Sequence, residues 1–260
     1  MSNATTPGGD VADRDRRSPR TVLLSSAWMG GTTSLVVAHL AADLGGADQV
    51  DVAIRWDDRD RAGADSVEFM DRLGYDVEVV EHGVRRTVDP LSASARVRIG
   101  DSETSVARID TPEQFTLPLT LGTTTATTRI GFSSAATTSA LMAVKRLGFF
   151  RWGRGDRFTR IRRALLYAPG AGGVAQVRID VRHGAETRTA LLTDPAGQAH
   201  LTAVGAVLGV QRALGVDGAP AHRGLSFPEN TPIPKAVGAM LAAHGVELTD
   251  EPGSTRMPSA

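Results

Sequence analysis

Three strings carry residue types that could do chemistry. Gly170-Ala171-Gly172-Gly173-Val174-Ala175 has the G-x-G-x-x-A spacing of a dinucleotide fingerprint, in which glycines let the backbone approach a pyrophosphate held at a helix N-terminus. The residues that follow, VAQVRIDV, have a period of two, so the string reads as a turn into a hairpin strand. Ser25-Ser26-Ala27-Trp28-Met29-Gly30 stands in better context, between an apolar run and a helical one, with Asp57-Asp58 after the next strand. It reads as a tight strand-to-helix turn, or as a degenerate nucleotide crossover with Ser25 and Ala27 in place of two glycines. Arg151 to Arg163 gathers six arginines against Asp156, interleaved with Trp152 and Phe158. One such run in a neutral chain reads as a solvated face, or as a surface for a phosphate-bearing ligand or acidic partner, and not as a nucleic-acid interface.

Six histidines (His39, His82, His183, His200, His222 and His244) show neither H-x-x-x-H nor H-E-x-x-H spacing, so no metal is expected. His39 and His200 fall on helices and read as structural. His222-Arg223 lies in a proline-studded loop and is the more interesting pair, because loops carry function disproportionately. A G-x-S-x-G elbow and a P-loop are both absent.

The balance of the chain narrows the classes further. Its 260 residues hold 29 Lys+Arg against 29 Asp+Glu and no cysteine. Neutrality gives no long-range field for nucleic acid or an anionic membrane. The cysteine count excludes a disulfide scaffold, a thiolate nucleophile and Cys-ligated metals. Residues 1–20 are small, polar and charged and read as a disordered leader with no signal-peptide core. No segment reaches the ~18 apolar residues of a membrane span, so a soluble cytoplasmic protein is expected.

These residues need elements to position them. Thr21 to Ser26 reads as a strand, 27–31 as a turn, Thr32 or Thr33 to Leu44 as a helix stopped by Gly45-Gly46, and Val50 to Trp56 as a strand. This strand, helix, strand unit would place its two strands parallel in one sheet. A helix is expected over 62–73, short antiparallel strands over 76–110, a helix start at Thr111-Pro112-Glu113-Gln114 and a strand over 123–132. Helix 135–147 should turn Leu141, Val144 and Leu147 inward. A hairpin follows around His183-Gly184, then a turn at 194–197 and a helix over 198–214 with Leu201, Val204, Leu208, Gln211 and Leu214 on one side. A loop over 220–234 and a helix over 235–244 complete the pattern, with the tail frayed from Asp250. The fold class expected is α/β (α+β): a remnant of a Rossmann-type strand-helix-strand unit joined to a mixed sheet with helices packed on one face.

The order of several segments carries more than any one motif. SSAWMGGTTSLVVAHLAADL, VDVAIRW, ARIDTPEQFTLPLTLGTTTATTRIGF, LLTDPAGQAHLTAVGAVLGVQRAL, GLSFPEN and a last helix ending HGVEL resemble, in that order, the carboxyl-terminal portion of the saccharopine dehydrogenase-like oxidoreductases. The resemblance covers Thr21 to Leu248, with Met29-Gly30 where the family commonly has Pro-Gly. It implies a leader over 1–20, the end of a nucleotide-binding unit over 21–74, a mixed-sheet substrate and dimerisation domain over 75–248, and a flexible tail over 249–260. It further implies hydride transfer between NAD or NADP and an amino- or imino-acid-like or carbonyl small molecule. Trp28, Met29 and Gly30 would border the nicotinamide pocket, and Arg129, His222 and Arg223 would bind a substrate carboxylate, because guanidinium forks match carboxylates. The family's helix after D-x-x-G-Q is a return element that packs toward the first domain. The family's fingerprint glycines have no counterpart here before Thr21, so the alternatives are a cofactor-free binding or dimerisation module, or half of a split enzyme with a separately encoded nucleotide-binding partner. A homodimer through an exposed sheet edge over 76–110 is also expected.

Overall fold

A computed structural model of the chain describes residues 21–25, 27–60, 75–152, 158, 160, 170–216, 224–230 and 236–251. The expected helix over 62–73, most of the arginine run and the His222-Arg223 pair lie outside them. The elements are strands β1 (Thr21–Leu23), β2 (Gln49–Trp56), β3 (Val77–Glu81), β4 (Val84–Val88), β5 (Ala95–Ile99), β6 (Ser102–Arg108), β7 (Thr125–Phe132), β8 (Ala175–His183), β9 (Glu186–Asp194), β10 (Gly224–Ser226) and β11 (Glu247–Glu251). The helices are α1 (Thr32–Leu44), α2 (Glu113–Leu121), α3 (Ala135–Arg146), α4 (Phe149–Trp152), α5 (Gln198–Leu214) and α6 (Val237–Ala242), with a 3-10 turn at Trp28–Gly31.

Seven strands form one mixed sheet in the order β11-β9-β8-β2-β7-β6-β5, so the fold is of the mixed α/β class. Only β2 and β7 run parallel in it; β8 flanks β2 on the other side, antiparallel. The hairpins follow from turn chemistry: Glu81 pairs Val84 across His82 (φ 51°) and Gly83 (φ 74°), the two positive φ values of a type I′ turn.

Alternation along the strands decides what each face meets. Val50, Val52 and Ile54 of β2, Val177, Ile179 and Val181 of β8, and Ala190 and Leu192 of β9 are buried with α1 in one core. Helix α1 is buried almost all round, from Thr32 to Ala38 and again at Leu40 and Ala41, as a centrally packed apolar helix must be. The opposite face carries a small apolar cluster, Ala53, Val97, Ile99 and Val106, and a set of ion pairs. There Arg178 bonds Asp180 at 2.9 Å and Glu251 at 3.1 Å, and Arg129 bonds Asp51 at 2.8 Å.

The structure departs from the sequence expectation in particulars. Strand β1 does not join the sheet of β2; it pairs in parallel with β10, and the parallel neighbour of β2 is β7. The short apolar run 21–23 is captured by a segment 203 residues further on, a pairing no local pattern encodes. Because β2 is central, residues before 75 and after it share one sheet. Leu147 is 79% exposed, since α3 ends at Arg146 and Leu147 falls on its cap; Leu141 and Val144 pack on the core as expected. Leu214 is 67% exposed and Arg212 takes the buried position of the last turn of α5. Strand β11 reaches Glu251, past the Leu248 boundary, because it pairs with β9 along its whole length.

One glycine lets β7 and β6 approach closely. A Cβ on Gly131 of β7 would stand 2.1 Å from the carbonyl oxygen of Ser105 in β6, so the two backbones cross in contact there. Gly131→Ala should therefore lower stability by about 1–3 kcal/mol, read as an earlier urea midpoint at unchanged m-value.

Candidate functional site

The turn Trp28–Gly31 is held in an unusual conformation. Met29 (φ 55°, ψ 48°), Gly30 (φ 65°) and Gly31 (φ 91°) follow one another at positive φ, a region that costs a non-glycine residue free energy and persists only when neighbours fix it. The Met29 side chain is buried. Thr32 donates from Oγ1 to the Met29 carbonyl at 2.8 Å, and Thr33 donates to the Trp28 carbonyl at 3.1 Å.

Helix α5 closes on this turn backbone to backbone. A Cβ on Gly30 would lie 2.6 Å from the Thr202 carbonyl oxygen, and one on Gly205 would lie 2.4 Å from the Met29 carbonyl oxygen. On the next residue, a Cβ on Gly31 would meet Pro228 Cγ at 2.6 Å. Both glycine faces are thus filled by protein.

Charged groups are buried around the same turn. Glu113, at the start of α2, accepts from the Trp28 backbone N–H at 3.1 Å and from the Thr128 hydroxyl at 3.1 Å. Burial pushes its pKa up to about 7, against those neutral donors, which favour the charged form. Arg212, 2% exposed, donates from Nη2 to the Pro228 carbonyl at 2.7 Å. Burial lowers its pKa to about 10 while Glu229 opposes the shift, so it stays a cation at neutral pH. Glu229 accepts from Thr120 Oγ1 at 3.0 Å. Sequence reasoning missed all three. For Arg212 the available signal is its place four residues after Leu208 on the apolar stripe.

A polar crevice opens at the carboxyl ends of the parallel pair β2 and β7, lined by Arg55, Asp57, Asp58, Arg59, Ser133 and Gln176, with Val174 at its edge. Counting its solvent-facing mouth, it encloses about 900 Å³. In open sheets the carboxyl ends of parallel strands are where ligands settle, since backbone and loops diverge there. Arg55 donates to Gln176 at 3.1 Å. Asp58 accepts from the Ser133 hydroxyl at 2.8 Å and the Ser134 N–H at 2.6 Å. Burial works to raise the pKa of Asp57, but hydrogen bonds from the backbone and side chain of Arg59 and from Val174 N–H outweigh it and hold the carboxyl below its usual range. Asp60 accepts from the Gln198 N–H at 2.7 Å, capping α5.

The glycine string 170–175 packs against this loop through Gly170 and Gly173. A Cβ on Gly170 would fall 1.9 Å from the Arg59 carbonyl oxygen, and one on Gly173 would fall 2.8 Å from Asp57 Cβ. Val174 then leads straight into β8, as the period-two reading expects.

The candidate residues divide accordingly. Trp28, Met29 and Gly30 share the helix-bearing side with Glu113 and Thr128. Arg129, the next residue along β7, points to the opposite face, where Asp51 and the Ala93 carbonyl hold its guanidinium at 2.8 and 3.2 Å. The structure does not bring Arg129 to the turn. His200 is paired through Nδ1 with the buried Asp194 at 2.7 Å. No group of three or more potential metal ligands is assembled among the described residues.

The Met29-Gly30 turn offers no open glycine face to the pyrophosphate of NAD or NADP. A pyrophosphate needs the glycine face open to it, and that face is in contact with α5. What the arrangement can do is bind: the crevice offers both signs of charge to a small polar molecule.

The buried carboxyl gives a direct check. With its pKa raised from 4.5 to about 7, Glu113 contributes stability that is fully present below pH 4.5 and is lost as pH rises through about 7. Glu113→Gln should remove this slope, a relative gain of about 3 kcal/mol above pH 7, measured by urea unfolding at several pH values.

No protein-family model matches the chain, and no curated protein matches it.

Proposed function

We propose that the chain is the substrate-side portion of a saccharopine dehydrogenase-like oxidoreductase, acting in the cytoplasm on an amino- or imino-acid-like or carbonyl small molecule. The nicotinamide nucleotide, NAD or NADP, is held by a separately encoded partner and not by the 28–30 turn. The observation that supports this reading is the return of α5, directly after Asp194–Gly197, onto Met29 and Gly30 at backbone contact. That is the place the resemblance gives to its D-x-x-G-Q helix. The substrate's place is the crevice, where Arg55 and Arg59 suit a carboxylate and Asp58 suits an ammonium or iminium group. No helix among the described residues is long and apolar enough to cross a membrane.

The filled glycine faces favour a second reading, a cofactor-free binding module with the same crevice. Two measurements on the purified chain separate the outcomes. Titrated NADH and NADPH should give no saturable signal; saturable binding overturns the assignment of the nucleotide to a partner. A panel of amino acids and 2-oxo acids should include a member that raises Tm, an effect lost in Arg55→Gln. A flat response across the panel overturns the substrate reading and leaves the binding module.

A further inference from the structure

We propose that the end of α3, with the short α4 that follows it, is a docking surface for an anionic lipid bilayer. Leu147, on the cap of α3, is 79% exposed, and Trp152, the last residue of α4, is 57% exposed. The two stand close together. Gly148 turns the chain at φ 75°, the Trp152 N–H donates to the Gly148 carbonyl at 3.0 Å, and a Cβ on Gly148 would touch Trp152 Cδ1 at 3.8 Å. The indole is braced in this outward position by edge-to-face contacts with Phe149 and Phe158, at ring-centre distances of 5.1 and 5.4 Å. Phe149 is buried in the main core and ties the cluster to it. A leucine and an indole held side by side in water lose the free energy that burial would give them.

The charge around them selects the occupant. In sequence, 145–163 holds eight Lys and Arg against Asp156 alone, which leaves 21 Lys+Arg against 28 Asp+Glu in the rest of the chain. The zero net charge therefore conceals a cationic pole, and this pole governs what an approaching surface meets within the ~10 Å over which charges act at 0.1 M salt. Among the described residues, Lys145 and Arg146 end the last turn of α3 directly before Leu147, and Arg146 and Arg160 are exposed. Cations beside an indole and an aliphatic side chain match the boundary of an anionic leaflet. Lysine and arginine meet the phosphates, tryptophan lies at headgroup level, and leucine reaches the acyl chains. A nucleic acid would pair with the same cations and stack on the indole, but it gives Leu147 no apolar partner. The surface lies apart from the crevice: Ser133 stands just ahead of α3 and Leu147 just after it, about 20 Å away at 1.5 Å per residue.

The test sediments the full chain with vesicles of phosphatidylcholine alone or containing about 30% phosphatidylserine, at about 0.1 M salt. The chain should bind the anionic vesicles at least ~10-fold more tightly than the neutral ones, and should leave them at about 0.5 M salt. Leu147→Ser should weaken binding about 10-fold with an unchanged far-UV circular dichroism spectrum, because Leu147 faces solvent. Arg146→Gln should weaken it about 5-fold. Of the three tryptophans only Trp152 is exposed, so lipids brominated near the headgroup should quench part of the fluorescence, and Trp152→Phe should abolish that quenching. A chain that ignores anionic vesicles overturns the proposal, and an oligonucleotide bound in their place gives the patch to nucleic acid. Equal binding to neutral vesicles overturns it too. So does binding that Leu147→Ser leaves unchanged, since cations alone would serve any polyanion.

Discussion

The rest of the molecule depends on one close approach, that of the Trp28–Gly31 turn to the first half of α5. It exists because Gly30 and Gly205 each lack a Cβ where the backbone of the other segment passes. The turn in turn starts α1, the helix at the centre of the core. The position of α5 decides where its apolar faces point and where Asp60 must sit to cap it. A single missing methyl group on either side is thus a precondition for both the core and the crevice.

Around that contact the protein keeps charge where apolar groups would be expected. Glu113 ties the turn to β7 through Trp28 and Thr128, and Arg212 with Glu229 ties the end of α5 to the 227–230 loop and α2. Such groups cost desolvation and hold only when their hydrogen bonds are well placed. Their value lies in direction: a charge-assisted bond fixes a backbone where apolar contact would let it slide.

Much of this was legible from local pattern. The β8–β9 hairpin, the limits of α5 and the reading of the 170–175 glycines as a turn into a hairpin strand came from period and turn chemistry, which act within a few residues. What stayed hidden was long-range. The capture of β1 by β10, the placing of Arg129 on the far face and the burial of Arg212 all depend on partners that no local window contains. The glycines at 170 and 173 were visible as a motif, but their use, contact with the Asp57–Asp60 loop, could not be read without it.

That loop has a kinetic character of its own. Its hydrogen bonds reach residues 75 and 76 positions away at Ser133 and Ser134, 117 away at Val174 and 138 away at Gln198. Beside the local bonds from Arg59 and Asp60 to Asp57, these long-range ones form only when the distant segments they join have been brought together, against the loop-closure entropy. The crevice is accordingly built from segments that only the completed sheet holds together. Of the loop's amides, that of Asp58 donates to Ser133 Oγ across the sheet, while those of Arg59 and Asp60 donate to Asp57 inside the loop, so only the first depends on a distant segment.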